Sequence, residues 1–314
     1  MYTKIRRRLL KLWFLINAAK EFLKLSFIDP QKEIILSYDE KHNPLTYGDF
    51  LYYPFLANLL QLKGLRVRFN YIKDFSIKGS HIMNFRSQIE EIFERISPNT
   101  EISFLPLKEL KSKDKSYFVY RKEIFSGRKI NNFLFDLINL LFLKERNTSF
   151  LIEKRNDFDM KKSIRQESYI TLHVRYNKLY GANRNITKGD FNQILEALTY
   201  KYNKPILIVT DLEGTNFCKR IPINKDIKIF FSKDYFDRFV DDIEVILQSD
   251  MYFQYLGGGI GVIPMFSSIP YIICDTSGNE YKFKKNNLCS WANENQIRKS
   301  SKKLESFLSI INTN

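Results

Sequence analysis

The sequence predicts an α/β protein made of two doubly wound domains, and three observations predict it. From residue 33 onward, short apolar runs alternate with segments of helical spacing. In the second half those runs are nearly continuous, as expected of parallel strands covered on both faces. The chain has 314 residues, 44% hydrophobic and 15% aromatic, enough for two cores of ordinary size. The expected division is a first domain over 1–160, led by a basic helix, and a second over 161–314.

The elements follow in order. "EIILSYD" reads as a short buried strand and "GDFLYYPFLANLLQLKG" as a loop and helix closing at Gly64. "LRVRFNYI" alternates like a strand. "HIMNFRSQIEEIFERIS" places Ile82, Phe85, Ile89, Ile92 and Phe93 at helical spacing, and "EISFLPL" is a further strand. The stretch 106–130 reads as a loop-rich excursion, 131–144 as helix, and 144–168 as a charged linker. Then "YITLHVRY", "PILIVTD", "IKIFFS", "MYFQYL" and "YIICD" read as strands, with helices at "KGDFNQILEALTYKYN" and "VDDIEVILQSD". The tail, 291–312, reads as a basic helix. Such βαβ repetition gives two Rossmann-like halves facing each other across a cleft, with ligands expected at the carboxyl ends of strands.

Composition excludes several classes. The apolar run "LWFLI" is far short of the ~20 residues of a spanning helix. No small-residue cleavage site follows the charged lead, so no secretory signal is expected. Cys218, Cys274 and Cys289 have no metal-like spacing, and their odd number fits reduced thiols in the cytoplasm. His42, His81 and His173 are scattered, and no metal site is expected. The net charge of +15 partly reflects a Lys-, Asn- and Ile-rich composition. The Lys runs near 282–285 and 298–303 carry no nucleic-acid motif, so no nucleic-acid partner is expected. The Asp157–Asp159 pair copies a metal-binding D-x-D spacing but lies in the charged linker. In the first helix, Leu9, Leu12, Ile16, Ala19 and Leu23 share a face. Residues 1–30 hold seven Lys/Arg against two Asp/Glu. That helix either packs on the body or lies peripherally on an anionic membrane.

Three features point to chemistry. Four of the chain's 12 glycines, Gly257, Gly258, Gly259 and Gly261, fall in one strand-to-helix turn. The turn either packs helix on strand or offers backbone amides to a phosphate. In "YITLHVRYN", His173 and Arg175 share a strand face near its carboxyl end. Arg175 suits bidentate contact with phosphate oxygens, and Arg184 follows in the next loop. Asp211 ends the following strand. Gly48 and Asp49 lie between the first strand and its helix, where Asp49 is either a helix cap or a general base.

These stretches resemble known glycosyltransferases. "YGDFLYYPFLANLLQLKGLRVRF" resembles the Gly-Asp loop of the lipopolysaccharide heptosyltransferase family, which implies that Asp49 is the catalytic base. "LHVRYN" resembles the His-x-Arg motif of the α-1,6- and protein O-fucosyltransferases, which implies that Arg175 contacts a donor diphosphate. Those enzymes continue Arg-Gly-Asp, whereas this chain has Tyr176 and Asn177. The glycine turn sits where both families place their donor-phosphate turn. The resemblance implies a GT-B glycosyltransferase moving a sugar from a nucleotide-diphosphate sugar to a surface polysaccharide or lipid-linked glycan. No cofactor or metal is expected, and a GDP-sugar donor is favoured. A non-catalytic glycan-binding or assembly protein and a nucleotide-sugar epimerase are the alternatives.

Overall fold

The structure is a computed structural model that describes residues 2–41, 43, 46–76, 80–106, 116–119, 129–158, 168–178, 182–275 and 289–313. His42, Asp159 and the Lys run at 282–285 lie outside the described residues. The chain divides into two compact units, Met1–Leu151 and Ile152–Asn314.

In the first unit, α1 (Tyr2–Ser26) precedes β1 (Glu33–Asp39). Helices α2 (Tyr47–Phe50) and α3 (Tyr52–Gln61) lead to β2 (Arg66–Ile72). Then α4 (Ser80–Ser87) and α5 (Ile89–Ile96) lead to β3 (Glu101–Ser103), and β4 (Ser116–Val119) precedes α6 (Lys129–Glu145). The strands are parallel, in the order β3-β2-β1-β4. Pro54 is tolerated in the first turn of α3, where backbone N–H groups have no partner within the helix. Gly64 ends that segment with a φ of 77°. The core is aromatic: Tyr38 stacks on Tyr71 at 5.6 Å and meets Phe50 edge-on at 5.5 Å.

The structure sharpens three sequence expectations here. The stretch 106–130 is not all loop, because Ser116–Val119 pairs with β1 from Glu33↔Ser116 onward. Three apolar and aromatic residues, Tyr117, Phe118 and Val119, inside a charged context were too short a signal to read as a strand. The single helix expected at 81–97 is two, broken at Gln88, whose amide reaches the Tyr47 hydroxyl at 3.0 Å. In α1, which packs on α6, the buried residues include Ala18, Glu21 and Leu25. Leu12, Ile16 and Leu23, on the face left open between packing on the body and lying on a membrane, are exposed.

At the carboxyl ends of β1 and β2 lies a buried ion-pair network. The Glu40 carboxylate accepts from Arg86 Nε at 2.6 Å, from Arg86 Nη2, from the Tyr71 hydroxyl, and from the Asp74 amide at 2.6 Å. Desolvation works to raise the Glu40 pKa, but these donors outweigh it and hold the carboxyl below its usual range.

In the second unit the order is β5 (Ile170–His173), α7 (Lys188–Tyr202), β6 (Ile206–Val209), α8 (Leu212–Cys218), β7 (Ile229–Phe231) and α9 (Phe239–Leu247). β8 (Met251–Tyr255), α10 (Val262–Met265), β9 (Tyr271–Asp275), β10 (Gln296–Ser300) and α11 (Leu304–Thr313) follow. The parallel sheet has the order β10-β9-β8-β5-β6-β7. Counted from its first strand this is 3-2-1-4-5-6, the order of a Rossmann sheet, with its switch point between β5 and β8. Ile170, Leu172, Val174, Phe253 and Tyr255 face a core shared with Phe191, Leu195 and Phe307. The tail is not all helix. Gln296–Ser300 pairs with β9, and the Gln296 amide satisfies the carbonyls of Ser267 and Ile269 at 2.8 and 2.9 Å. Its polar side chains gave no strand pattern in sequence. Ile152 enters this unit by bridging Ser267, with its amide on the Phe266 carbonyl at 2.8 Å.

Arg86→Ala leaves the fully buried Glu40 carboxylate without its cation. The expected loss is about 3–5 kcal/mol of stability, read as a lowered urea midpoint. The double variant Glu40→Gln, Arg86→Met is expected to recover most of it, and a double variant as unstable as Arg86→Ala would refute the charge-burial account.

Candidate functional site

The switch point of the second sheet brings together residues far apart in sequence. His173, the last residue of β5, pairs in register with Val209 on β6 and Gln254 on β8. Its Nδ1 donates to the Val209 carbonyl at 2.7 Å, which fixes the tautomer and leaves Nε2 as an acceptor. Nε2 is buried and has no hydrogen-bond partner. Desolvation lowers the His173 pKa to about 4; the Val209 carbonyl opposes this and the Arg175 charge adds to it. The ring is therefore neutral at physiological pH.

The glycine turn lies against this ring. A Cβ at Gly258 would stand 2.0 Å from His173 Nε2, and one at Gly261 would stand 2.5 Å from Gln254 Oε1. Gly257 has a φ of 87°, and Gly258 a φ of 156°. Leu256 also has a positive φ, 65°, which is uncommon and strained for a branched side chain. Gln254 fills the space beneath the turn. Its Oε1 accepts from the Tyr252 hydroxyl at 2.6 Å and its Nε2 donates to the Gly258 carbonyl at 3.3 Å. Packing thus accounts for Gly258 and Gly261, and backbone conformation for Gly257. Gly259 is exposed, at the start of the 3₁₀ turn Gly259–Gly261 that runs into the one-turn α10.

Arg175 is two residues beyond the end of β5 and half-buried. Its Nη1 donates to Asn185 Oδ1 at 2.9 Å. Asn185 also accepts from the Asn177 amide and donates to the Asn177 carbonyl, each at 2.9 Å. Tyr176 stacks on Phe217 with ring centroids 3.9 Å apart. Tyr176 and Asn177 thus anchor the loop that follows β5. Arg184 is half-buried in the 3₁₀ turn Ala182–Arg184. Asp211 caps α8, accepting from the Gly214 amide at 2.7 Å. Partial desolvation raises its pKa against the pull of that amide, Arg175 and Lys233.

In the first unit, Gly48 is buried and Asp49 half-buried in α2. The cap of α2 is Thr46, not Asp49. Thr46 Oγ1 donates to Asp49 Oδ2 at 2.8 Å and receives the Asp49 amide at 3.4 Å. Asp49 is thus the third residue of the helix, with its amide on the cap hydroxyl and its carboxylate accepting from that same hydroxyl.

Sequence reasoning missed Gln254, Asn185 and Glu40. A glutamine in an otherwise apolar strand was the available signal for Gln254. Asn185 and Glu40 had no signal, since their partners are distant or unremarkable in the chain. Among the described residues, no group of three or more His, Cys, Asp or Glu side chains is arranged to hold a metal ion.

No family model matches the chain, and no curated protein matches it. Solved structures do. E. coli ADP-heptose lps heptosyltransferase II is similar over 90% of this chain and 98% of its own, with a TM-score of 0.52 at 8% identity. The glycosyl transferase family 9 structure from Veillonella parvula DSM 2008 matches 90% of this chain and 88% of its own, at a TM-score of 0.49 and 8% identity. UDP-GlcNAc 2-epimerase from Methanocaldococcus jannaschii matches 90% and 91%, at 0.40 and 11%. The heptosyltransferase likeness shows the fold, a GT-B fold of two Rossmann-like units.

The His173 environment has a signed consequence. Its folded pKa is about 4 against about 6.5 unfolded, so its contribution is complete above pH 6.5 and lost as pH falls toward 4. Between pH 7 and 4.5 the wild type is expected to lose about 2–3 kcal/mol more stability than His173→Asn, which keeps a donor for Val209 and does not titrate. Asp242, pushed up to about 6 by burial, has the opposite slope but is common to both proteins. Parallel stability curves from urea unfolding would overturn the assignment.

Proposed function

We propose that the protein is a glycosyltransferase that moves a sugar from a nucleotide-diphosphate sugar to a surface polysaccharide or lipid-linked glycan. The observation that carries this reading is the convergence of Arg175, the strained Leu256–Gly258 turn and the exposed Gly259 at one Rossmann switch point. The donor diphosphate would lie against Arg175 and the turn amides. As the bond from the anomeric carbon to the diphosphate oxygen breaks, they would stabilise the charge left on that oxygen. Arg184 and Asp211 are candidate donor contacts beside it. His173 is a positioning residue: its ring is shielded by Gly258 and acts on the donor through the turn. In the first unit, Asp49 would take the proton from the acceptor hydroxyl, with Gly48 allowing close approach. No cofactor enters this scheme, and a GDP-sugar is the favoured donor. The free cysteines Cys218, Cys274 and Cys289 are consistent with a cytoplasmic location.

One observation favours a second reading, a non-catalytic glycan-binding or assembly protein. The Asp49 carboxylate is already engaged by the Thr46 hydroxyl, as a purely structural role at the start of α2 would have it.

The donor half of the proposal is tested by calorimetry with nucleoside diphosphates. Arg175→Ala is expected to weaken binding about ten- to a hundredfold while leaving the circular dichroism spectrum unchanged. Unchanged affinity would make Arg175 structural.

The acceptor half turns on Asp49→Asn, since an Asn oxygen can still accept from Thr46. With donor and acceptor saturating, turnover is expected to fall roughly 10²–10⁴-fold at unchanged donor affinity. Near-normal turnover would remove Asp49 from catalysis.

A further inference from the structure

α1 has two apolar faces. One, with Ala18 and Leu25, is buried on the first unit, where α1 packs on α6. The other carries Leu12, Ile16 and Leu23, each between 44% and 53% exposed, and runs on to Phe27, 85% exposed. The spacings of four and seven residues keep Leu12, Ile16 and Leu23 in one narrow stripe, about 16 Å long at helical rise, and Phe27 follows directly after the end of the helix. Trp13 flanks the stripe and is itself partly exposed. A folded chain rarely leaves such a contiguous apolar row in water unless something covers it.

The charge around the row identifies the cover. Lys20 and Lys24 are exposed on the same helix, and its sequence begins with Lys4, Arg6, Arg7, Arg8 and Lys11. Seven cations against two carboxylates over residues 1–30 would repel a second copy of the same helix and attract an anionic surface. No helix among the described residues is long and apolar enough to cross a membrane. An apolar stripe with an aromatic flank and cationic borders is what a helix lying in a bilayer interface requires.

We propose that α1 docks the protein on an anionic lipid bilayer by laying the Leu12–Ile16–Leu23–Phe27 stripe into its surface, while its other face stays in the protein core. Because the buried face belongs to the core, deleting the helix is a poor test. Charge placed in the exposed stripe leaves the core intact.

The experiment uses the full chain with phosphatidylcholine vesicles, with and without phosphatidylglycerol. The chain has two tryptophans. Trp291 is buried, with its indole N–H on the Met265 carbonyl at 2.6 Å, so it gives a constant background and Trp13 reports the interface. Wild type is expected to co-sediment with the phosphatidylglycerol vesicles, with a blue-shifted Trp13 emission, and to release as salt rises. The double variant Leu23→Glu, Phe27→Glu is expected to keep its circular dichroism spectrum and to bind at least about tenfold more weakly. Three results would each overturn the proposal. They are binding that the double variant retains, no preference for phosphatidylglycerol, and a wild-type dimer that the double variant converts to monomer.

Discussion

The second unit is organised around one constraint, the His173 imidazole filling the space that a Gly258 Cβ would need. The Val209 carbonyl fixes the ring from one side, and the register of β5 with β6 and β8 fixes it from below. With the ring in place, residue 258 has no room for a side chain. The chain leaving β8 then passes over the imidazole with positive φ at Leu256, Gly257 and Gly258. Gln254 holds the Gly258 carbonyl from beneath and removes any space for a Cβ at Gly261. The strain at Leu256 persists because these neighbours over-determine it. The result is a rigid turn with Gly259 exposed at its crest. The cost of this arrangement is a buried imidazole nitrogen without a partner, which makes the ring hard to protonate.

The first unit shows how environment divides carboxylates into separate roles. Glu40 and Asp49 both follow the same strand, β1, within ten residues. Glu40 is wholly buried and accepts from a guanidinium, a phenol and a backbone amide. Those donors use up its acceptor capacity and hold it ionised, so it serves the fold. Asp49 is half-buried with Thr46 on one oxygen. Removing a partner from Glu40 strands a charge, whereas Asp49 can change partners near solvent. That difference, rather than sequence position, is why the proposed function gives proton transfer to Asp49 and not to Glu40.

The alternation of apolar runs and helical spacing by itself determined the α/β class, because buried parallel strands must be apolar on both faces. It likewise placed most of the central elements, and it marked His173, Arg175 and the glycine turn as residues at strand ends. It did not reveal β4 or β10, since a strand of four or five residues among charged neighbours carries no period until a partner strand pairs with it. Only the tertiary structure decided what each glycine is for, because a glycine's purpose lies in the atoms opposite its missing Cβ: His173 and Gln254, which are far from the turn or beneath it. It decided which face of α1 is core, because two apolar stripes on one helix look alike until a neighbour such as α6 buries one of them. And it decided that Thr46 rather than Asp49 caps α2, because a cap is defined by backbone dihedrals that a Thr-x-x-Asp sequence allows but does not impose.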